Sequence, residues 1–438
     1  MLNKQDNELM CRTGPGTGMG DVMRRFWMPA LHAADLPTPG GDPLGIELLG
    51  EKFVAYRDAA GKVGLYAEAC LHRGASMLMA RAEPDGLRCI YHGWKFGVDG
   101  QVLDTPNVAD PRFKERIKGR TYPVREAGGL IWAYLGPRER EPVFPKYPWL
   151  DMPAANRINA CAVVNCNYVQ VIEGLVDSSH LTVLHASGLA KTNGVDLDFA
   201  KKTTHMQFDA SPFIEAEETD FGFHYVAIRP MGDNRMARVA SFIAPCFVAN
   251  PNGDLWFAVV PVNDERCNFY HVWWNAEKPI GEEPARTRQL AFVGLDQPTL
   301  AKYGMTAQTC DSADAPSWHN GYRQDRAAQR AGHFTGLDSF TQEDGACSIS
   351  SGALRDRSFE MLSSADMAIT RLYRTLLACV KSLRDGGDPV ALHADTTSIV
   401  GVSGEISPQQ DWRTLVPQHK IVSTAAPRAR ADAASVTQ

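Results

Sequence analysis

The order of apolar and polar residues predicts a short helix and then a section of short strands. Residues 19–33 carry apolar side chains at near-helical spacing, which predicts an N-terminal helix that stops at Pro29 or just beyond. From about residue 45 to 136, short runs of β-branched and aromatic residues alternate with Gly, Pro and Asp-Gly turns. This section predicts a small antiparallel β module. The proline-rich stretch 136–148 predicts a linker that leaves the module.

Beyond the linker, the pattern predicts a larger domain that mixes strands and helices. The predicted strands lie near 157–165, 205–217, 222–229, 237–248, 254–262 and 267–275, and the predicted helices lie near 166–180, 283–295 and 358–384. The polar segment 297–335 is longer than ordinary connections and is predicted to be a lid or a substrate loop. The fold class is therefore α+β, with a small all-β module and a larger antiparallel sheet flanked by helices, of the helix-grip type.

These elements divide the chain into four sections. We expect a helical segment over 1–40 that packs on the larger domain, the β module over 41–148, and the larger domain over 149–417. The Ala/Arg/Ser-rich tail over 418–438 is expected to be disordered.

Composition and charge exclude several classes of protein. The chain is 44% hydrophobic and 22% charged, as globular proteins are, and no apolar run approaches the roughly 18 residues of a membrane span. A net charge of -6, without a Lys/Arg block, argues against nucleic-acid binding. Ten cysteines are too sparse for a disulfide scaffold, and the N-terminus lacks a secretory signal. We therefore expect a cytoplasmic protein with reduced cysteines, of which eight, including Cys310 and Cys347, are expected to be buried.

Two pairs of cysteine and histidine are the clearest candidate chemistry. Cys70-Leu-His72 is followed, after sixteen intervening residues, by Cys89-Ile-Tyr-His92. Two Cys and two His on two turns of one β module suit a metal centre, and the spacing matches a Rieske [2Fe-2S] cluster, in which two His replace two Cys on one iron. A structural zinc ion could use the same four residues. Trp94 is expected to pack beneath the centre.

A second pair of histidines lies in the helix predicted after the linker. Asp177, His180 and His185 form the pattern D-x-x-H-x4-H. Two imidazoles and a carboxylate with open coordination positions are the ligands of non-haem Fe(II) oxygenases. His180 and His185 are about 140° apart on an ideal helix, so the helix must bulge or end between them if both bind one metal. On spacing alone, the segment also suits a helix with two surface histidines.

Together these motifs resemble the Rieske non-haem iron aromatic-ring-hydroxylating oxygenases, in particular the alpha subunits of the phthalate-dioxygenase-like branch. The resemblance extends from NELMCRTGPG near the start to about residue 390. It implies that His180 and His185 bind Fe(II), and that Asp177 is not a ligand but bridges to His92 of a neighbouring subunit. It also implies a homotrimer, with or without stacking to a hexamer. Leu71 stands where the family has proline, and this departure leaves the ligands untouched.

The resemblance also implies that the third iron ligand lies far downstream, and we predict that it is Asp344. In this branch a Gln-Asp pair is followed by Glu, Gly and Asp-Arg at +5, +8, +12 and +13. Three of these later positions are kept, at Gly352, Asp356 and Arg357. Glu343 replaces the Gln and Ile349 replaces the Glu, so the surroundings of the ligand are altered. Asp338 is the alternative ligand, and it otherwise suits the N-cap of a helix.

The function implied by the resemblance is that of a terminal oxygenase, in which the Rieske cluster passes electrons to an Fe(II) that binds O2 beside an aromatic acid. No nicotinamide or flavin fingerprint is present, so electrons must come from another protein. The resemblance implies that this protein is a separate NADH-dependent flavin and iron-sulfur reductase. Ring dihydroxylation of a phthalate-type substrate is the first expectation, and O-demethylation of a methoxylated aromatic acid is the alternative.

Two further questions stay open at this level. A buried carboxylate substrate needs a cation, and Arg229 and Arg238 are the candidates, although either also suits a structural ion pair. The second question is whether the chain is an enzyme at all, since the alternative to a terminal oxygenase is a Rieske electron-transfer protein without catalytic iron.

Overall fold

The computed structural model describes residues 2–193, 195–306 and 314–417. Its helices are α1 Lys4–Cys11, α2 Gly18–Met23, α3 Tyr168–Val176, α4 His180–Leu184, α5 Ala186–Ala190, α6 Asp198–Thr203, α7 Ala285–Val293, α8 Gln297–Lys302, α9 Arg326–Arg330, α10 Phe340–Ser350 and α11 Met367–Arg384. Its strands are β1 Trp27–His32, β2 Leu44–Leu48, β3 Glu51–Arg57, β4 Val63–Ala67, β5 Arg81–Glu83, β6 Gly86–Arg88, β7 Lys95–Phe96, β8 Val102–Asp104, β9 Thr121–Tyr122, β10 Val124–Ala127, β11 Leu130–Tyr134, β12 Arg157–Val164, β13 Phe213–Thr219, β14 Gly222–Met231, β15 Asn234–Ile243, β16 Phe247–Ala249, β17 Leu255–Asn263, β18 Arg266–Trp274 and β19 Val402–Ile406.

A small unit of short strands forms three antiparallel sheets. Their strand orders are β1-β11-β10, β2-β3-β4-β9 and β5-β6-β7-β8. Val54, Tyr66, Trp94 and Phe96 share one apolar core in this unit. The two Cys/His sequences lie on the loops before β5 and after β6. Because the start of β5 pairs with the end of β6, both loops emerge at the same edge of one sheet.

A large unit contains an eight-stranded antiparallel sheet with helices packed on it. The strand order is β12-β18-β17-β16-β15-β14-β13, and β19 pairs with β15. Helices α3 and α11 pack on this sheet, and α1 and α2 pack on α11. The cores of the two units join through Trp132, Trp149 and Trp256, whose ring centroids lie 4.8–6.1 Å apart. No helix among the described residues is long and apolar enough to cross a membrane.

The predicted α+β class is confirmed, but the helix predicted over 19–33 is wrong in its second half. Helix α2 ends at Met23, and residues 27–32 form β1. The apolar residues of β1 are buried on both faces, so their sequence lacks the alternation that indicates a strand. Pro29 lies beside an irregularity in the pairing with β11, where a missing N–H is tolerated.

Three other predictions for elements are wrong in part. Residues Thr204–Phe208 form a 3₁₀ turn, so the strand predicted from 205 begins only at Phe213. The helix predicted from 358 begins only at Met367, and the segment 297–335 contains α8 and α9. Cys347 is exposed rather than buried. Cys310 and the tail 418–438 lie outside the described residues.

Candidate metal centres

The two Cys/His loops share one pattern of backbone hydrogen bonds. In each loop, the cysteine N–H donates to the carbonyl oxygen five residues later, and the cysteine carbonyl accepts from the glycine N–H four residues later. These glycines, Gly74 and Gly93, have φ values of 71° and 76°, which glycine adopts without strain. The two turns therefore present Cys70 and Cys89 at equivalent positions.

The four candidate ligands of the small unit form two pairs. Cys89 lies close enough to Cys70 to help raise the pKa of its thiol, and the ring centroids of His72 and His92 lie 4.5 Å apart. No three of these four residues bring ligand atoms within 4.8 Å of one another. A single zinc ion would hold all its ligand atoms within about 4.6 Å, because its bonds are about 2.0–2.3 Å long. The pairing therefore argues against zinc and suits a cluster with Cys on one iron and His on the other.

The surroundings of these residues also suit a bound cluster. His72 Nδ1 is buried without a hydrogen-bond partner, and ligation would satisfy it. The Trp94 ring stacks on His72, with 4.5 Å between centroids, and Trp94 Nε1 donates to Asn107 Oδ1 at 2.7 Å. Burial raises the pKa of the Cys70 thiol to about 11, so binding of a metal must displace a proton there.

In the large unit, His180, His185 and Asp344 meet at one point. Their ligand atoms all lie within 4.8 Å of one another. Asp344 Oδ1 is 3.1 Å from His185 Nε2 and 3.6 Å from His180 Nε2. His180 Nε2 is a buried atom without a hydrogen-bond partner. A cation between the three side chains would satisfy this nitrogen, so the group fits a facial triad for Fe(II).

The two histidines come together because a helix ends between them. His185 lies between α4 and α5 with φ -93° and ψ 17°, outside the helical range. The spacing of the two histidines predicted that the helix would either bulge or end between them, and the structure shows that it ends. Helix α10 supplies Asp344, and it packs against α5 where the Phe340 ring lies next to Gly188. The same ring lies 4.9 Å from the His185 ring and so limits the movement of that ligand.

Asp177 lies beside His180 in the turn between α3 and α4. Its Oδ2 is 3.3 Å from His180 Nδ1, and its Oδ1 accepts from the N–H and the hydroxyl of Ser179 at 2.7 and 2.6 Å. Burial opposes ionisation of Asp177, but its contacts with His180 and Ser179 outweigh burial and lower its pKa. The carboxylate therefore stays charged next to the imidazole.

Glu343 holds the other histidine, although in the sequence it stands out only as a departure from the family pattern. Glu343 Oε2 is 2.7 Å from His185 Nδ1, and both side chains are buried. Burial lowers the pKa of His185, but the carboxylates of Asp344 and Glu343 outweigh it and raise the pKa to about 10. The position of Glu343 directly before Asp344 was the available signal for this contact.

Asp338 does not join the group. Its carboxylate pairs with Lys302 and is half exposed, and Ser339 rather than Asp338 occupies the N-cap of α10. Of the two predicted candidates for a third ligand, the structure brings only Asp344 to the histidines.

A cavity of about 120 Å³ adjoins the three residues. Its aromatic wall is formed by Phe199, Tyr225, Phe257, Phe269, Trp273 and Phe340. Arg238 also lines this cavity and donates to the Lys202 carbonyl at 3.2 Å and to Asn252 Oδ1 at 2.9 Å. Burial lowers the pKa of Arg238 to about 10, so the guanidinium stays charged near neutral pH.

Arg229, the other predicted substrate residue, does not line this cavity. Its guanidinium donates to the Asp209 carbonyl at 3.0 Å, to the Ser178 carbonyl at 2.8 Å and to Ser178 Oγ at 3.2 Å. Arg229 therefore fixes the turn that carries Asp177, and its donors are already engaged with acceptors of the chain itself.

Comparison with known proteins matches two families to successive parts of the chain. A Rieske [2Fe-2S] domain matches residues 26–123, and a LigXa C-terminal domain-like family matches residues 133–434. The chain is 32% identical over 430 residues to the phthalate 4,5-dioxygenase oxygenase subunit of Pseudomonas putida, with 94% of each chain covered. It is 32% identical over 436 residues to the 3-chlorobenzoate-3,4-dioxygenase oxygenase subunit of Comamonas testosteroni, covering 95% of this chain and 98% of the relative.

A demethylase and a solved structure are also similar to the chain. The 5,5'-dehydrodivanillate O-demethylase oxygenase subunit of a Sphingobium strain is 29% identical over 401 residues, covering 90% of this chain and 84% of the relative. The fold is similar to that of Pseudomonas putida CBB5 NdmA, a QL mutant with caffeine, at a TM-score of 0.60 and 14% identity over 90% of this chain and 100% of the other. The chain therefore belongs to the Rieske non-haem iron oxygenases of the phthalate-dioxygenase-like branch, enzymes whose oxygenase subunit carries a Rieske [2Fe-2S] cluster and a mononuclear Fe(II).

Proposed function

We propose that this oxygenase subunit uses O2, and electrons from a separate NADH-dependent reductase, to dihydroxylate an aromatic carboxylate. The observation that carries the proposal is Arg238, a buried guanidinium in the wall of the cavity next to His180, His185 and Asp344. Its guanidinium donates to the neutral Lys202 carbonyl and to Asn252 Oδ1, and to no carboxylate among the described residues. A buried charge is costly unless it is paired. The carboxylate of a substrate would supply the missing partner through charge-assisted hydrogen bonds.

The cavity also limits the size and charge of the substrate. Its volume of about 120 Å³ is close to that of an apolar cavity of about 150 Å³ that holds benzene, so it suits one aromatic ring. Arg238 is the only lysine or arginine among the described residues that line it. We therefore propose a single-ring aromatic acid that is anchored through one carboxylate.

In this proposal the seven candidate ligands hold two metal groups. Cys70, His72, Cys89 and His92 hold the [2Fe-2S] cluster, and His180, His185 and Asp344 hold Fe(II). When bound, these groups supply stored electrons and the activation of O2. Arg238 binds the carboxylate, and the aromatic wall keeps water away from the ring and orients it towards the triad. Dihydroxylation adds both atoms of O2 to the ring and consumes two electrons and two protons.

We also propose that electrons reach the triad from the cluster of a neighbouring copy in a homotrimer or stacked hexamer. Asp177 opens onto a surface cavity of about 440 Å³ whose lining includes Met361, which is 97% exposed. The end of the small unit beside His92 exposes Ile90 and Tyr91 by 60% and 55%. Exposed apolar groups of this kind mark interaction surfaces. Docking of that end in the surface cavity would bring His92 to Asp177.

A second candidate function is O-demethylation of a methoxylated aromatic acid. The demethylase relative is nearly as similar to the chain as the two dioxygenases are. His271 also lines the cavity, and burial lowers its pKa to about 3, so its imidazole is neutral. Its Nδ1 donates to the Phe269 carbonyl at 3.2 Å, which leaves Nε2 as an acceptor for a phenolic hydroxyl. Identification of products by mass separates the two reactions.

The test of the carboxylate anchor compares the two buried arginines. Arg238→Leu should raise KM for a benzoate-type acid by about 10-fold or more, because a hydrogen bond to a charged group is worth about 1.5–3 kcal/mol. KM for the neutral amide of the same acid should change little. The matched variant Arg229→Leu should affect acid and amide alike, since the Arg229 guanidinium lies outside the cavity and donates to Ser178 and Asp209. Equal effects of Arg238→Leu on both substrates would remove the anchor role.

A further inference from the structure

The two candidate iron-binding histidines differ in what holds their second ring nitrogen. His180 Nδ1 faces Asp177 at 3.3 Å, slightly beyond the usual range for an N–H···O hydrogen bond, and Asp177 is 23% exposed beside the surface cavity. His185 Nδ1 faces Glu343 at 2.7 Å, and each of these two side chains is only 2% exposed. The contact between Glu343 and His185 is thus the shorter of the two and the one closed to solvent.

Glu343 is fixed at both carboxylate oxygens. Its Oε2 accepts from His185 Nδ1, and its Oε1 accepts from the Thr335 hydroxyl at 2.6 Å. Thr335 is itself held in place, because its hydroxyl oxygen accepts from the Leu337 N–H at 3.2 Å. The carboxylate therefore cannot rotate away without loss of a buried hydrogen bond.

The charge of Glu343 lacks a conventional counter-ion. No lysine or arginine in the described parts of the chain lies within ion-pair distance of its carboxylate. A carboxylate that is buried in this way is strongly unfavourable unless a positive charge is near. The positive charge available is that of the imidazole, or of a metal ion that the imidazole binds.

We propose that Glu343 is the positioning residue that makes the mononuclear site bind its iron tightly. By accepting the Nδ1 hydrogen of His185, the carboxylate fixes the ring with Nε2 towards His180 and Asp344 and increases the donor strength of that nitrogen. Asp177 does the corresponding work for His180 only weakly, because its contact is longer and its carboxylate is partly exposed to solvent. Retention of iron thus depends on Glu343 more than on Asp177.

The experiment measures the affinity of iron-depleted protein for Fe(II) under anaerobic conditions, by competition with a chelator. Glu343→Gln keeps the shape of the side chain and removes its charge. It should weaken Fe(II) binding by about 10- to 100-fold, as loss of an outer carboxylate partner typically does. Asp177→Asn, the matched change at the other histidine, should weaken binding less. The absorption spectrum of the Rieske cluster should stay unchanged in both variants.

Thr335→Val gives a second, milder variant in case Glu343→Gln folds poorly. It frees one oxygen of Glu343 and should weaken Fe(II) binding in the same direction, by a smaller factor. A purely structural role would lower the thermal transition and leave the affinity of the folded protein unchanged. Wild-type affinity in Glu343→Gln, or an equal loss in Asp177→Asn, would overturn the inference.

The inference rests on the proposed role of His185 as an iron ligand, and the same titration tests that role separately. His185→Ala should lose measurable Fe(II) binding. If His185→Ala binds like the wild type, the ligand assignment itself fails. If His185→Ala loses the metal while Glu343→Gln keeps it, only the role of Glu343 fails.

Discussion

Single atoms in the large unit show how a metal site is prepared by the residues around it. His180 Nε2 is buried without a partner, while the Nδ1 atoms of His180 and His185 each face a carboxylate. Because the carboxylates hold the two rings by Nδ1, both Nε2 atoms are turned towards Asp344. His185, whose pKa is raised to about 10, must release its Nε2 proton when a metal ion binds there. The triad is therefore oriented before any metal arrives, which reduces the cost of ordering its ligands on binding.

The choice of Asp344 over Asp338 as third ligand can be tested directly. Asp344→Ala should lose one iron per chain and all product formation, because two imidazoles alone hold Fe(II) poorly. The brown colour of the Rieske cluster should persist, since its candidate ligands lie in the other unit. Asp338→Ala removes only a half-exposed pair with Lys302, worth roughly 0–1 kcal/mol, and should keep iron and activity. Loss of activity in Asp338→Ala with full activity in Asp344→Ala would reverse the assignment.

At the scale of elements, the two Cys/His turns depend on glycine to different degrees. Gly74 and Gly93 both have positive φ, which costs other residues roughly 1–2 kcal/mol. A Cβ atom on Gly93 would also lie 2.7 Å from Pro106 Cγ, whereas nothing lies within 4 Å of one on Gly74. A side chain at Gly93 would therefore distort the turn at Cys89, whereas a side chain at Gly74 would fit into open space.

A matched pair of variants tests this difference. Gly93→Ala should lower cluster occupancy and the thermal transition more than Gly74→Ala does, because it adds a collision to the same backbone strain. Occupancy is measured as cluster absorbance per protein, and the transition by calorimetry. Equal losses would show that backbone strain alone governs both turns.

The elements also show what the sequence could and could not predict. The Cys/His sets were predictable because their ligands lie within a few residues of each other, and the helix break at His185 followed from a spacing of five. By contrast, the sequence could not show which of Arg229 and Arg238 lines the cavity. In the pairing of β14 with β15, Arg238 lies opposite Ala227 and Arg229 opposite Met236, which puts both arginines on the same face of the sheet. Only the packing of the turn at Ser178 decides which arginine faces the cavity.

The need for tertiary packing also explains why residues 27–32 were predicted as helix although they form β1. Its apolar side chains are needed on both faces, because β1 pairs with β11 and lies within the core that joins the two units. A strand of this kind has no period of two, and a local pattern cannot distinguish it from a helix. Strands β13 to β18 of the large unit were easier to predict, because only short turns separate them.

For the whole molecule, the proposed transfer of electrons between chains rests on the distribution of exposed groups. The end of the small unit that carries His92 exposes Ile90 and Tyr91, and the surface cavity at Asp177 is rimmed by the exposed Met361. Heterologous contacts between two such different surfaces close into rings when the rotation permits. In a ring of this kind, each triad would receive electrons from the cluster of the next chain.

A mixture of two inactive variants tests transfer between chains. Asp177→Asn should leave both metal groups bound and the cluster reducible, yet slow reoxidation of the cluster, because the link to His180 is weakened. His92→Ala should lose the cluster and keep the triad. At equal mixing, half of the chains carry an intact cluster and the other half carry an intact Asp177. An interface can transfer electrons only if a chain of the first kind donates to a chain of the second kind, which holds for about a quarter of the interfaces. Activity should therefore return to roughly a quarter of the wild-type value.

The control for this mixture carries both changes in one chain. Asp177→Asn mixed with the double variant Asp177→Asn/His92→Ala should stay inactive, because no interface then contains an intact Asp177. Formation of mixed oligomers is verified with two affinity tags and native mass measurement. If verified mixed oligomers of the two single variants show no more activity than this control, electrons do not cross the interface through His92 and Asp177. The cluster and the triad of one chain would then have to exchange electrons directly.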